Sequence, residues 1–143
     1  MNNAELLVTI KGGDVASLPP SATALAAAEL MNERHIGSVL VLDEGRIVGI
    51  FTERDLMRRV VAAHRAAEST LLRDVMTSPV ACASPRTLLD ELRTVMREKR
   101  IRHVPVVDNG RLLGLVSIGD LNRAEREVQD ETIQYLQQYV TVR

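Results

Sequence analysis

Residues 34–56 read RHIGSVLVLDEGRIVGIFTERDL, and residues 99–121 read KRIRHVPVVDNGRLLGLVSIGDL. The two stretches align without a gap at an offset of 65, with nine of 23 positions identical and four others exchanging one aliphatic for another. Such a repeat governs the reading of everything around it, because it implies two copies of one supersecondary unit and two related sites. In each copy an apolar run (Ser38 to Leu42, Val104 to Val107) is followed by a turn signal, Asp43-Glu44-Gly45 or Asp108-Asn109-Gly110. A returning run follows (Arg46 to Phe51, Arg111 to Val116), so each copy predicts a β-hairpin.

Working outward, a helix-period stretch precedes each hairpin. Ser21 to Glu33 offers Leu25, Ala28, Leu30 and Met31 as a buried face, and Thr87 to Lys99 offers Leu88, Leu92, Val95 and Met96. Thr23 and Thr87 are the candidate helix caps, the latter in a capping box with Asp90. Second helices begin near Glu53 and Ile118. Asp14 to Leu18 and Pro79 to Ala83 read as one further strand per unit, giving β-α-β-β-α twice. The expected divisions are residues 6–65, residues 71–123 and a charged C-terminal helix over 124–143. Val128, Ile133, Leu136 and Val140 form a narrow apolar stripe on that helix, and Ala62 to Thr70 is a polar connection.

Each repeat, about 65 residues, is marginal as an independent core, so the halves are expected to cooperate. Of the 143 residues 45% are hydrophobic and only 2% aromatic, with no Trp. That supports an aliphatic core and argues against a base-stacking surface. A net charge of −1 gives no general attraction to nucleic acid or anionic lipid. The single Cys82 excludes an internal disulfide and fits a reducing compartment. It reads as an inert buried thiol, having no neighbour that would activate it. Neither a secretory leader nor an apolar run long enough to span a bilayer is seen, and the expectation is a cytoplasmic protein. His35, His64 and His103 lack metal-ligand spacing, and no catalytic constellation or P-loop stands out.

The motifs GIFTERDL (49–56), GLVSIGDL (114–121), LRDVMTSPV (72–80) and RIRHVPVVD (100–108) resemble those of CBS domains, the modules named for cystathionine β-synthase. The resemblance covers about residues 6–123 and identifies the chain as similar to a tandem CBS pair of the stand-alone bacterial type. It implies an α/β fold of two β-α-β-β-α repeats packed about a pseudo-twofold axis. It also implies a non-enzymatic regulatory module whose inter-repeat clefts bind adenosine-containing nucleotides such as AMP, ADP, ATP or NAD. Such pairs commonly dimerise, so a homodimer acting on an unidentified regulated protein is expected, with no metal, nucleic acid or membrane involved.

Thr52-Glu53-Arg54-Asp55 and Ser117-Ile118-Gly119-Asp120 carry the chemistry. A carboxylate at a helix start can accept two hydrogen bonds from ribose hydroxyls, and the hydroxyl three residues earlier can reach sugar or phosphate. The helix N-terminus adds unpaired N–H groups and partial positive charge. The same Ser/Thr-x-x-Asp pattern is also a capping box that needs no ligand. Arg102 and His103 stand before the second hairpin, where the matching Gly37 and Ser38 are uncharged. They are candidate phosphate contacts, for a nucleotide whose ribose is held by Asp55. His103 reads equally as a half-buried histidine packed by Val104, and Arg54 as a phosphate ligand or a solvated first-turn residue. Val15 and Val80 match across the repeat and are assigned to the adenine slot by the resemblance alone; core packing is the plain alternative.

Two readings from different classes therefore stand: a nucleotide sensor, and a ligand-free dimerisation or docking module. A small enzyme or DNA-binding protein has no residues to support it.

Overall fold

The structure, a computed structural model, describes residues 3–12 and 14–126. The expected C-terminal helix lies outside the described residues beyond 126, as do all four residues of its apolar stripe. The chain is mixed α/β. Its elements are α1 (Ala4–Lys11), β1 (Ser17–Leu18), α2 (Ala24–Arg34), β2 (Ser38–Asp43), β3 (Arg46–Thr52) and α3 (Glu53–Asp55). There follow α4 (Leu72–Val75), α5 (Leu89–Lys99), β4 (His103–Asp108), β5 (Arg111–Ser117) and α6, residues 118–126. After α3 the chain widens into π-helical turns over Leu56–Val61, with the Ala62 N–H bonded to the Met57 carbonyl at 2.8 Å.

The two copies of the repeat fold alike in detail. β2 pairs antiparallel with β3 and β4 with β5, each ladder interrupted by a bulge at the same point, Val41/Leu42 and Val106/Val107. The hairpin turns place Glu44 and Gly45 at φ 49° and 80°, and Asn109 and Gly110 at 52° and 77°. Two successive positive φ values are what a two-residue turn needs to match the right-handed strand twist. α2 and α5 both end on a left-handed non-glycine residue, His35 (φ 54°) and Arg100 (φ 54°). There the next N–H, of Ile36 or Ile101, returns to the carbonyl of Met31 or Met96 at 3.0 Å.

The helix faces correct two expectations. α2 buries Ala24, Ala27 and Met31, whereas Leu25 is exposed. α5 buries Leu92 and Met96, whereas Leu88 is exposed. Thr23 caps α2 by accepting the Ala26 N–H at 3.1 Å, but Thr87 caps nothing in α5. Its hydroxyl accepts the Ser84 N–H at 3.0 Å in the preceding turn, and the Glu91 carboxylate takes the Leu88 N–H at 3.1 Å. The leading strands are also shorter than expected. Only Ser17–Leu18 pairs with β2, in parallel, and in the second copy a single bridge joins Ala83 to Val106. Cys82 is exposed rather than buried, although desolvation still pushes its thiol pKa up.

The described residues form two compact units that are not successive halves. One holds residues 14–81; the other joins the segment before Asp14 to the residues from Cys82 onward. The first has a core of Ala16, Ala24, Ala27, Met31, Val39, Val41, Phe51, Val60, Leu72 and Val75. The second packs Ala4, Leu7, Leu92, Met96, Val104, Val106, Val116 and Leu121. Equivalent positions trade volume: Ala27 with Phe51 in one core becomes Leu92 with Val116 in the other. A large-small exchange of that kind keeps packing density while the residues change. α1 thus serves the second core as α4 serves the first, so residues 4–11 belong to the unit that resumes at Cys82.

Candidate functional site

Each hairpin ends by feeding its last strand into a helix, and the same three hydrogen bonds set that corner twice. In the first unit the Thr52 hydroxyl accepts the Asp55 N–H at 3.1 Å, and Asp55 Oδ2 accepts the Thr52 N–H at 3.1 Å. The Glu53 N–H donates to the Gly37 carbonyl at 3.0 Å. In the second unit Ser117 Oγ accepts the Asp120 N–H at 3.2 Å, and Asp120 Oδ2 accepts the Ser117 N–H at 2.8 Å. The Ile118 N–H donates to the Arg102 carbonyl at 2.9 Å. Both aspartates are 7% exposed, so each carboxylate is a buried charge aimed at a helix start. Capping is therefore a real role of both residues.

What else each carboxylate holds separates the two copies. Asp55 accepts the Thr77 hydroxyl, 3.0 Å from Oδ1 and 3.2 Å from Oδ2, and has the Arg59 guanidinium 3.6 Å from Oδ1. Asp120 accepts the Lys11 ammonium at 2.9 Å on Oδ2 and the Arg123 guanidinium at 2.6 Å on Oδ1. Lys11 also donates to the Leu115 carbonyl at 2.9 Å. A carboxylate offers about four lone-pair sites. Asp55 receives one backbone N–H and one hydroxyl, which leaves room for two further donors. Asp120 already receives three donors, two of them cationic. Burial would raise the Asp120 pKa, but the Ser117 N–H and the Lys11 ammonium outweigh it and hold the carboxyl below its ordinary value.

The second unit also gathers the basic residues expected near phosphate. His103 begins β4 directly opposite Ser117, the last residue of β5. Its imidazole pKa is lowered to about 4 by burial, then by the positive charge of Lys11, with Arg102 adding to it and Asp120 opposing. His103 is thus neutral near pH 7. Arg102 and Arg54 both extend from exposed positions, Arg54 on the first turn of α3. A cavity of about 340 Å³ between α1 and α6 is lined by Leu7, Ile10, Lys11, Asp120, Arg123 and Ala124. It combines an apolar wall with a polar end.

Thr52, Arg54 and Asp55 therefore come together in the first unit, and Arg102, His103, Ser117 and Asp120 in the second. Val15 and Val80 are half-buried in extended segments, each ahead of the paired residues Ser17 and Ala83. Lys11, Thr77, Arg59 and Arg123 are the site residues that the sequence did not offer. Arg59 and Arg123 stand four and three residues beyond their aspartates, a spacing at which helical charges pair, so a signal was there. Lys11 reaches Asp120 across 109 residues and Thr77 reaches Asp55 across 22, where no local pattern helps. Among the described residues no grouping of His, Cys, Asp and Glu could hold a metal, and no helix is long and apolar enough to cross a membrane. Among them, too, every buried side-chain nitrogen and oxygen has a partner.

Comparison with known proteins shows the family and the fold. The family model described as the CBS domain matches twice, at residues 8–62 and 72–127. The mitochondrial CBS domain-containing protein CBSX3 of Arabidopsis thaliana is 32% identical over 123 residues, covering 82% of this chain and 60% of that protein. The CBS domain-containing protein YhcV of Bacillus subtilis is 33% identical over 107 residues, covering 75% of this chain and 76% of its own. A crystal structure of a CBS-domain-containing protein from Agrobacterium tumefaciens superimposes with a TM-score of 0.82 at 37% identity, covering 86% of this chain and 98% of that one. This chain spans about 60% of the length of the Arabidopsis relative.

Proposed function

The chain belongs to the CBS-domain family, a tandem pair of regulatory repeats, and on that premise we propose that it is a non-enzymatic sensor of adenosine-containing nucleotides. The observation that carries this reading is the duplicated corner at Thr52–Asp55 and Ser117–Asp120. At each a buried carboxylate stands at a helix start beside a hydroxyl, the pair of groups that would face the hydroxyls of a ribose. Asp55 and Asp120 take the ribose, Thr52 and Ser117 the neighbouring sugar or phosphate oxygens, and Arg54, Arg102 and neutral His103 the phosphate end. Val15 and Val80 line the adenine slot. The ligand acts by binding one arrangement of a cytoplasmic homodimer better than another, which is how a non-catalytic module passes a signal to a regulated protein.

The test is a thermal-shift panel on nucleotide-stripped protein with AMP, ADP, ATP, NAD⁺ and S-adenosylmethionine. A ligand at 100 times its dissociation constant adds about 2.7 kcal/mol, which at roughly 3 °C per kcal/mol is a shift of about 8 °C. A flat panel with folded protein overturns the reading. The competing reading, a ligand-free docking module, draws support from the exposed Met57 and Val61 on the π-helical turns. In that case both corners are caps only and no nucleotide moves the melting point.

A further inference from the structure

The duplicated aspartates are not equally free: two cations hold Asp120, Arg123 from its own helix and Lys11 from α1. The Lys11 ammonium sits 2.9 Å from Asp120 Oδ2 and 2.9 Å from the Leu115 carbonyl, anchored from the last turn of α1. Asp120 Oδ1 is meanwhile held by Arg123. A ribose presents two neighbouring hydroxyls and needs two open acceptor positions on one carboxylate. Asp55 has them, because its hydrogen-bonding neighbours Thr77 and the Thr52 N–H fill only two of about four lone-pair sites. Asp120 with three donors does not, until one cation leaves. Charge-assisted bonds are roughly twice as strong as neutral ones, so a neutral hydroxyl is a poor competitor for that position.

Lys11 leaves readily only if the arriving ligand gives its ammonium a new anion. The groups around this corner make that exchange specific. Lys11, Arg102 and Arg123 are cationic, Asp120 is the one anion among the described residues that line this cavity, and Lys11, Asp120 and Arg123 line it with the apolar Leu7, Ile10 and Ala124. A ligand bearing phosphate supplies the missing negative charge to a site with cations in excess. An uncharged adenosine offers nothing in return for the broken ion pair. The first-unit corner has no such gate. Its aspartate is matched by a neutral threonine and a single arginine, and Gly37 and Ser38 stand where the second unit has Arg102 and His103.

Resting on the nucleotide reading above, we propose that Lys11 sets the ligand class of the second-repeat site. By occupying Asp120 it admits phosphorylated adenosine compounds and excludes uncharged adenosine, a selectivity the first-repeat site lacks. The chain then carries one site gated by phosphate and one ungated site.

The experiment isolates the second site in an Asp55→Asn background, where the asparagine retains an acceptor for the Thr52 N–H. AMP and adenosine are titrated calorimetrically into the full chain. The expected result is AMP binding at least tenfold tighter than adenosine. Adding Lys11→Met should raise adenosine affinity, lower AMP affinity and bring the two within about threefold, while Lys11→Arg keeps the preference. An AMP-to-adenosine ratio unchanged by Lys11→Met overturns the proposal. So does AMP binding that is present in the unaltered chain but absent once Asp55 is replaced. If neither compound binds the unaltered chain while its circular dichroism is native, the nucleotide reading itself falls, and the Lys11 gate with it.

Discussion

Replacing Asp120 by alanine removes three hydrogen-bond acceptances at once, and its cost in the absence of any ligand can be worked from the geometry. The Ser117 N–H at 2.8 Å loses its acceptor, one half of the capping box of α6, a loss of about 1 kcal/mol. The bonds from Lys11 and Arg123 are short, but those side chains are 42% and 68% exposed. Solvent screening holds each such pair to roughly 0.2–1 kcal/mol, so together they contribute about 1 kcal/mol. Asp120→Ala should therefore destabilise by about 2 kcal/mol and lower the melting point by about 6 °C. Asp120→Asn keeps an acceptor for the Ser117 N–H and gives up the charge, so it should lose about half as much. The assay is urea unfolding followed by far-UV circular dichroism, because the chain has no Trp to report by fluorescence. Coincidence with a second probe, such as amide exchange in each unit, checks that unfolding is two-state. A double-mutant cycle with Lys11→Met should give a coupling of about 0.5–1 kcal/mol. An Asp120→Ala protein within 0.5 kcal/mol of the unaltered chain, or equal losses for the alanine and asparagine variants, would refute this partition.

Other perturbations probe different parts of the same account. His35→Gly and Arg100→Gly, each relieving a left-handed non-glycine residue at a helix end, should stabilise by about 1 kcal/mol apiece, read as a rise in the urea midpoint. Gly114→Ala would put a methyl 3.0 Å and 3.1 Å from the two γ-carbons of Val8, a stiff β-branched side chain on α1. It should cost about 1–3 kcal/mol and weaken protection of the α1 amides in hydrogen exchange. His103, at about 4 in the folded state against an unfolded value near 6.5, binds its proton more tightly when unfolded. Its contribution is full above pH 6.5 and fades as the pH falls toward 4, by at most about 3 kcal/mol. His103→Gln should flatten the stability profile in that window, and an imidazole that titrates near 6.5 by NMR would contradict the burial argument.

The residues that announced the fold are those whose chemistry is local. Gly45 and Gly110 supply a positive φ that their turns require, and the continuous apolar runs between them and the corners leave few other pairings. The aspartates were legible as helix-start carboxylates for the same reason. The faces of α2 and α5 were not, and the cause is visible in the side chains. In α2 alanines fill the positions against the sheet, Ala24 and Ala27, so hydrophobic size no longer marks the buried side and Leu25 drew attention it did not merit. Thr87 and Leu88 misled differently: a threonine before a helix caps it only if the chain enters at the right residue, and here the Ser84 turn claims the hydroxyl. Hardest to foresee was α1. Periodicity describes an element's own face and says nothing of which core receives it. Lys11 therefore became a site residue only when residues 4–11 were found packed with Leu92, Met96 and Leu121.

The two corners also show why a binding motif and a structural motif are hard to tell apart in sequence. A carboxylate that caps a helix and one that receives a ribose need the same place and the same backbone neighbours. What distinguishes them is the acceptor capacity left over, and that depends on groups brought in from elsewhere: Thr77 for Asp55, Lys11 and Arg123 for Asp120.

Calorimetric titration of AMP into the unaltered chain and into the Asp55→Asn, Asp120→Asn double variant tests the central claim most directly. The account requires saturable binding to the unaltered chain and a loss of at least tenfold in affinity in the double variant, with its circular dichroism unchanged. Equal binding to both proteins would contradict it, leaving the two aspartates as helix caps and nothing more.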